Sequence, residues 1–282
     1  MSSFREPLSA QAIRAALVNV PLVRQVVYLP VTGSTNAVAH DLAGQGAPHA
    51  TLVVTDDQTA GRGRLGRAWH MPPRAAIAMS ILARPDLAAL HANRLTMLAG
   101  LAAAEGIEQV AGLTVKLKWP NDVVVEVGSW RLEAGGQNSP RLAIQKLGGI
   151  LTETSIVGER LEYAVVGIGL NVNADFADQP ELAETATSVM QQLGREVDRL
   201  GMLAAVVHRF AARFDWLSAG DALRAAWSAR LATLGRRVEA REGDAVWLGL
   251  AQAVDEDGAL LLLTDDGVLH RLLAADVTLR GS

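Results

Sequence analysis

The chain has no cysteine in 282 residues, which removes thiol nucleophiles, disulfides and thiolate metal sites together. Its histidines, His40, His49, His70, His91, His208 and His270, show no ligand spacing of the H-x-x-x-H kind, so no structural zinc is expected. Nor is there an excess of basic charge: 26 Lys and Arg stand against 30 Asp and Glu, a formal net charge of −4. A protein that holds a nucleic-acid polymer needs an extended basic surface, so that class is disfavoured. No apolar run approaches the roughly 18 residues of a membrane span, and Met1 to Pro7 lack the apolar core of a signal peptide. The expectation is a cytoplasmic protein with no membrane partner. Internal repeats and low-complexity tracts are lacking too.

What is present is an ordinary globular composition, 50% hydrophobic and 20% charged, long enough for one large domain and a small one. Within this acidic chain, residues 58–69 (Gln-Thr-Ala-Gly-Arg-Gly-Arg-Leu-Gly-Arg-Ala-Trp) gather three glycines, three arginines and a tryptophan. Glycine lets backbone approach a ligand closely, and arginine presents a planar fork of donors to phosphate or carboxylate. The stretch reads as an anion-binding loop for a small molecule. Gly61, Gly63 and Gly66 satisfy G-x-G-x-x-G, and Asp86 lies about 20 residues on. A dinucleotide fold also needs a helix opening at the loop, however, and Pro72-Pro73 leads directly into an apolar run from Ala75 to Ala83. That leaves no room for it.

Along the chain, helical spacing marks residues 9–20, and Gln25 to Val31 reads as a strand. Ser34 or Thr35 is a natural N-cap for the following helix, with Gly44 or Gly46 at its end. Strands are expected at Ala50 to Thr55 and Ala75 to Ala83, then a long alanine-rich helix at Ala89 to Gly106. Val115 to Trp119 alternates like a strand, turns at Pro120-Asn121-Asp122 and resumes at Val123. Val127 to Ser139 is polar and glycine-rich and reads as a hairpin extension or mobile loop. Ala143 to Ile156 and Tyr163 to Asn173 are further strands, each carrying glycines that suit bulges or close approach to a ligand. Residues 181–192 and 198–232 read as helices, the second run divided at Gly220. From Gly235 short strands separated by acidic turns predict a small β-barrel, giving domains at 1–232 and 233–282.

Five stretches now stand out together: Gly33-Ser34-Thr35-Asn36, the 58–69 loop, Lys118-Trp119-Pro120-Asn121-Asp122, Lys146-Leu147-Gly148-Gly149-Ile150-Leu151 and Gly167-Ile168-Gly169-Leu170-Asn171-Val172-Asn173. In content and order they resemble the motifs of biotin-protein ligases, over about residues 30–282. The resemblance implies an α+β fold: a class II aminoacyl-tRNA synthetase-like mixed sheet with helices, plus a small C-terminal SH3-like β-barrel. It also implies a two-step reaction in which biotin and ATP give biotinyl-5′-AMP and pyrophosphate, and a lysine of a biotin carboxyl carrier domain then displaces AMP.

Carried over residue by residue, the resemblance places biotin against Ser34, Thr35, Asn36, Gln58, Gly61, Arg62, Gly63, Arg64, Lys146, Gly149 and Gly169. Arg64, Arg67, Trp69, Asn121, Asp122 and Asn171 fall to ATP. Lys146 is the first choice for the catalytic residue, with Arg64 and Asp122 beside it. Mg²⁺ is expected with ATP, and Asp122 either holds the metal or orients the incoming amine. About thirty residues precede Gly33, enough for one helix and one strand, so no DNA-binding activity is expected. Dimerisation through a sheet edge occurs in the family, and the sequence is silent on it here. Lipoate-protein ligase and a non-catalytic biotin or nucleotide sensor are the alternative readings; pyrophosphate exchange with each acid, and labelling of an acceptor domain, distinguish them.

Overall fold

The computed structural model describes residues 4–132 and 138–279. Before Gly33 it has one helix, α1 (Ala10–Ala16), and one strand, β1 (Gln25–Thr32). Then follow α2 (Thr35–Gly44), β2 (Thr51–Gln58), β3 (Ala76–Ala83), α3 (Asn93–Ala111), β4 (Lys116–Lys118), β5 (Asp122–Leu132), β6 (Asn138–Val157) and β7 (Arg160–Asn171). The strands form one mixed sheet in the order β1-β2-β3-β7-β6-β5-β4. Only β1 and β2 pair in parallel; every other neighbour is antiparallel.

The central strands are buried on both faces over most of their length, in keeping with the nearly continuous apolar sequence of β3. On one face lies α3, whose alanine-rich sequence lets it approach its neighbours closely. At Gly106 an added Cβ would stand 2.7 Å from the Val206 side chain, so α3 and the helix carrying Val206 pack backbone to backbone there. The large core on this face includes Leu52, Ile77, Met79, Leu98, Leu101, Val166 and Phe210. On the other face α2 covers a small cluster of Ala39, Ala43, Val53, Leu82 and Val165. Because α2 is short, much of that face stays open for a ligand.

The expected hairpin extension is present: β5 and β6 pair as far as Leu132 with Asn138. Gly135, Gly136 and Gln137 of that stretch lie outside the described residues. The two helical runs are more broken than their composition predicts. The first gives α4 (Pro180–Ala183) and α5 (Val189–Leu193), and the second gives α6 (Arg199–Ala212), α7 (Trp216–Ala219) and α8 (Asp221–Ser228). Gly220 divides the second run as expected, at φ +74°, a left-handed value that favours glycine. Below it, Arg199 forms a buried ion pair with Asp56 at 2.9 Å, and Asp56 also accepts from Tyr28 and the Leu8 amide. This network ties the chain's start, β2 and α6 together.

The C-terminal segment forms a second sheet of five antiparallel strands: β8 (Arg237–Glu242), β9 (Ala245–Val254), β10 (Leu260–Thr264), β11 (Leu269–Leu272) and β12 (Asp276–Leu279). Their order is β11-β10-β9-β8-β12. Its buried Val238, Ala240, Ala251, Val254, Leu260 and Leu262 belong to the same core as the large sheet. The second sheet is therefore fused to the first. The joint includes the Trp119 indole, which is 1% exposed and donates to the Gly258 carbonyl at 2.8 Å.

Candidate active site

The open part of the α2 face holds a cavity of about 470 Å³. Its floor is Ala78, Gly167 and Gly169 of β3 and β7, and Lys146 and Gly149 rise from β6. One end is neutral and polar: Ser34, Thr35 and Asn36 at the start of α2, with Gln58 at the end of β2. Ser34 has the backbone of an N-cap, but its hydroxyl makes no cap bond. Gln58 does that work from across the sheet, its Oε1 accepting the Thr35 amide N–H at 2.9 Å. Gly167 has to be glycine because a Cβ there would collide with the Asn36 amide.

The other end is cationic. Arg62, Arg64, Arg67, Lys118, Lys146 and Arg241 line the cavity with only Asp122 and Asp276 of opposite charge. That balance suits a polyanion and reverses the sign of the whole chain. Lys146 Nζ lies 2.6 Å from Asp122 Oδ1 and 5.7 Å from the centre of the Trp69 ring. The Arg64 guanidinium donates to Asn121 Oδ1 at 3.3 Å; its pKa is lowered, burial being the main cause. Burial also lowers the Lys118 ammonium, and the charge of Lys146 adds to that, while Asp122 opposes it.

The 58–69 loop crosses the cavity as a closed turn. Trp69 N–H donates to the Gly61 carbonyl and Gly63 N–H to that of Arg67, with a single 3₁₀ turn at Arg64–Gly66. There is no helix after it, in keeping with rejection of the dinucleotide reading. Arg67 reaches out of the loop to pair with Asp276 of β12. Gly61 lies off the main cavity, on the outer side of the loop.

Behind Trp69 is a second cavity of about 360 Å³. Trp69, Lys118, Asp122 and Lys146 border both, whereas Asn171 and Phe176 line the second and not the first. Trp69 packs over Gly169, where an added Cβ would sit 2.9 Å from the indole ring. Trp69 Nε1 and Asn171 Oδ1, a donor and an acceptor, are buried without a partner among the described residues. The Lys146–Asp122 pair thus stands where two cavities meet.

Of the residues singled out from sequence, all but Gly61 and Asn171 line the first cavity. Sequence reasoning missed Ser80, Arg241, Asp276 and Thr278, and gave Lys118 no role. Ser80 had a readable signal, as the lone polar residue in the apolar run 76–83. Asp276 and Thr278 had none, because β12 was not expected as a strand.

Comparison with known proteins bears on the same residues. Residues 28–171 match the biotin/lipoate A/B protein ligase family, and residues 233–280 match the biotin protein ligase C-terminal domain. The bifunctional ligase/repressor BirA of Bacillus subtilis is 34% identical over 275 residues, covering 96% of this chain and 79% of the relative. The biotin–[acetyl-CoA-carboxylase] ligase of Paracoccus denitrificans is 36% identical over 239 residues, covering 82% and 91%. Among solved structures, a biotin protein ligase from Aquifex aeolicus in complex with biotin and ATP superposes with a TM-score of 0.72 at 26% identity, covering 92% of this chain and all of that one. The chain belongs to the biotin/lipoate A/B protein ligase family and, with both parts matched, is a biotin-protein ligase.

Proposed function

We propose that this enzyme joins biotin to ATP in the cleft described above and then passes the biotinyl group to a lysine of a biotin carboxyl carrier domain. The carrying observation is the Lys146–Asp122 pair at the junction of the two cavities. Biotin occupies the first cavity, with its ureido ring at the Ser34, Thr35, Asn36 and Gln58 end and its carboxylate toward Lys146, Arg62 and Arg64. The adenosine occupies the second, beside Trp69, Asn171 and Phe176. Arg67, Asn121 and Lys118 lie between, beside the phosphates.

In the first step a biotin carboxylate oxygen attacks the α-phosphorus, and the bond to the β-phosphate oxygen breaks as pyrophosphate leaves. An ionised carboxylate needs no general base. The barrier is the approach of an anion to a polyanion and the charge that builds on the phosphoryl oxygens. Lys146 serves both reactants, and Asp122, 2.6 Å away, fixes its ammonium between them. In the second step the acceptor amine attacks the acyl carbon, an amide forms, AMP departs and the amine loses a proton.

Among the described residues no cluster of three metal-ligating side chains occurs. Asp122 is one carboxylate at the cationic end, a donor set that suits Mg²⁺ held mainly by ATP phosphates. When bound there, the ion would neutralise phosphate charge.

The neutral polar end favours biotin over lipoate, whose dithiolane has no N–H to use the hydroxyl and amide groups gathered there. The large sheet is read as class II aminoacyl-tRNA synthetase-like and the C-terminal sheet as SH3-like, with the domain boundary near residue 233. Biotin-dependent exchange of pyrophosphate into ATP tests the first step, and mass spectrometry of a carrier domain tests the second. Lys146→Ala is expected to lower exchange by about 10²–10³-fold, as for loss of one transition-state donor, with the unfolding midpoint near that of wild type. Exchange at the wild-type rate would remove Lys146 from catalysis.

A further inference from the structure

The segment between α8 and β8 covers the free edge of β4. That strand ends the large sheet. On its outer side the Leu117 N–H donates to the Arg230 carbonyl at 2.9 Å, and the Leu117 carbonyl accepts from the Ala232 N–H at 2.8 Å. Leu117 and Leu231 thus make one rung of a parallel ladder. A regular ladder would next offer the Ala232 carbonyl to the Trp119 N–H. That N–H donates instead to the Thr233 hydroxyl oxygen at 3.0 Å, and Thr233 is fully buried. Upstream, the Arg230 guanidinium grips the Glu108 carboxylate of α3 through two bonds of 2.7 and 2.9 Å, which anchors the segment at its start. Thr233 borders neither cavity, and none of the five motifs contains it.

We infer that Thr233 is a positioning residue for the phosphate end of the site: its hydroxyl sets the peptide plane between Lys118 and Trp119, and through that plane the places of Lys118 and Asp122. This rests on the functional reading above and deepens it. Lys118 borders both cavities. It is also the register partner of Asp122 across the β4–β5 turn, and Asp122 holds the Lys146 ammonium at 2.6 Å. On its other side the turn is fastened to β6 by Asn121, whose Nδ2 donates to the Ile150 carbonyl at 2.7 Å and whose carbonyl accepts from the Ile150 N–H at 2.9 Å. Thr233 is the matching fastening on the side of the C-terminal segment. A buried N–H left without an acceptor is costly enough to drive a local rearrangement, and the peptide that would turn here is the one Lys118 shares with Trp119. The ureido end of the cavity, at Ser34, Thr35, Asn36 and Gln58, is carried by α2 and β2 instead.

The test is biotin-dependent pyrophosphate exchange by the full-length enzyme. Wild-type exchange is measured first, and its absence would sink the functional reading itself. Given that activity, a pair of variants separates the oxygen from the volume. Thr233→Val keeps the shape and removes the acceptor; it is expected to lower kcat/KM for ATP by about tenfold, with KM for biotin within about twofold of wild type. Thr233→Ser keeps the oxygen and loses a methyl group; it should unfold at a lower denaturant concentration yet hold kcat/KM for ATP within about threefold of wild type. A role in packing alone predicts the opposite ranking, with the serine variant impaired and the valine variant not, and that result overturns the inference. So does a folded Thr233→Val with wild-type kcat/KM for ATP, or with KM for biotin and KM for ATP rising in parallel. If the valine variant does not fold, Glu108→Ala takes its place, because it frees Arg230 and loosens the same segment from α3. A severalfold fall in kcat/KM for ATP with KM for biotin unchanged is then expected, and wild-type kinetics in that variant overturn the inference.

Discussion

Lys118 shows how a single residue's environment alters what its type implies. Read from the sequence it has no role of its own, yet it borders both cavities and burial lowers its pKa from the usual 10.5. The sign gives a pH dependence. Below its pKa the ammonium attracts phosphate, and as pH rises Lys118 loses that charge sooner than an ordinary lysine would. KM for ATP is therefore expected to climb on the alkaline side below pH 10.5. Lys118→Arg should displace that limb to higher pH, because a guanidinium keeps its charge. An unchanged KM profile in the arginine variant would remove Lys118 from the nucleotide site. Lys146, by contrast, was singled out through the resemblance of Lys146-Leu147-Gly148-Gly149 to a family motif; by its type alone it reads as an exposed lysine on a strand.

Among the elements, the 58–69 loop brings Arg62, Arg64 and Arg67 to the cavity, while its Leu65 is exposed. Its glycines and arginines announced an anion-binding loop, and the structure adds where it is fastened: Arg64 to Asn121 and Arg67 to Asp276. The Arg67–Asp276 pair is well exposed, so it contributes at most about 1 kcal/mol. Fastenings this weak suit a lid that opens for each turnover. Limited proteolysis should cut the loop readily in the unliganded enzyme and slowly with biotin and ATP; equal rates would mean that it does not move. Arg64→Ala should release the adenylate faster than it is transferred, seen as biotinyl-5′-AMP accumulating in solution.

At the scale of the whole molecule, the C-terminal sheet closes one side of the candidate site. Arg241, Asp276, Val277 and Thr278 wall the cavity, and their position depends on the joint at Trp119. Trp119→Phe keeps an aromatic ring but opens some space in the core and leaves the buried Gly258 carbonyl without its 2.8 Å donor. A loss of about 1–3 kcal/mol in denaturant unfolding is expected, along with a raised KM for ATP as the wall loosens. Wild-type values for both would show that the indole N–H contributes nothing to the joint.

The sequence by itself determined the long helix and the strands other than β12, because those follow from local apolar spacing, and it singled out the motif residues, because glycine, arginine and lysine in such groupings serve no core. The β character of the C-terminal segment was also readable, from short strands separated by acidic turns after Gly235. Only the tertiary structure decided the rest. Ser80 and Glu153 lie 44 and 117 positions from Asn36 along the chain, and Asp276 is 209 from Arg67. No local pattern signals such contacts. The Asn36 amide meets Ser80 of β3 on one side and Glu153 of β6 on the other, and that meeting exists only once β3, β6 and α2 have packed together.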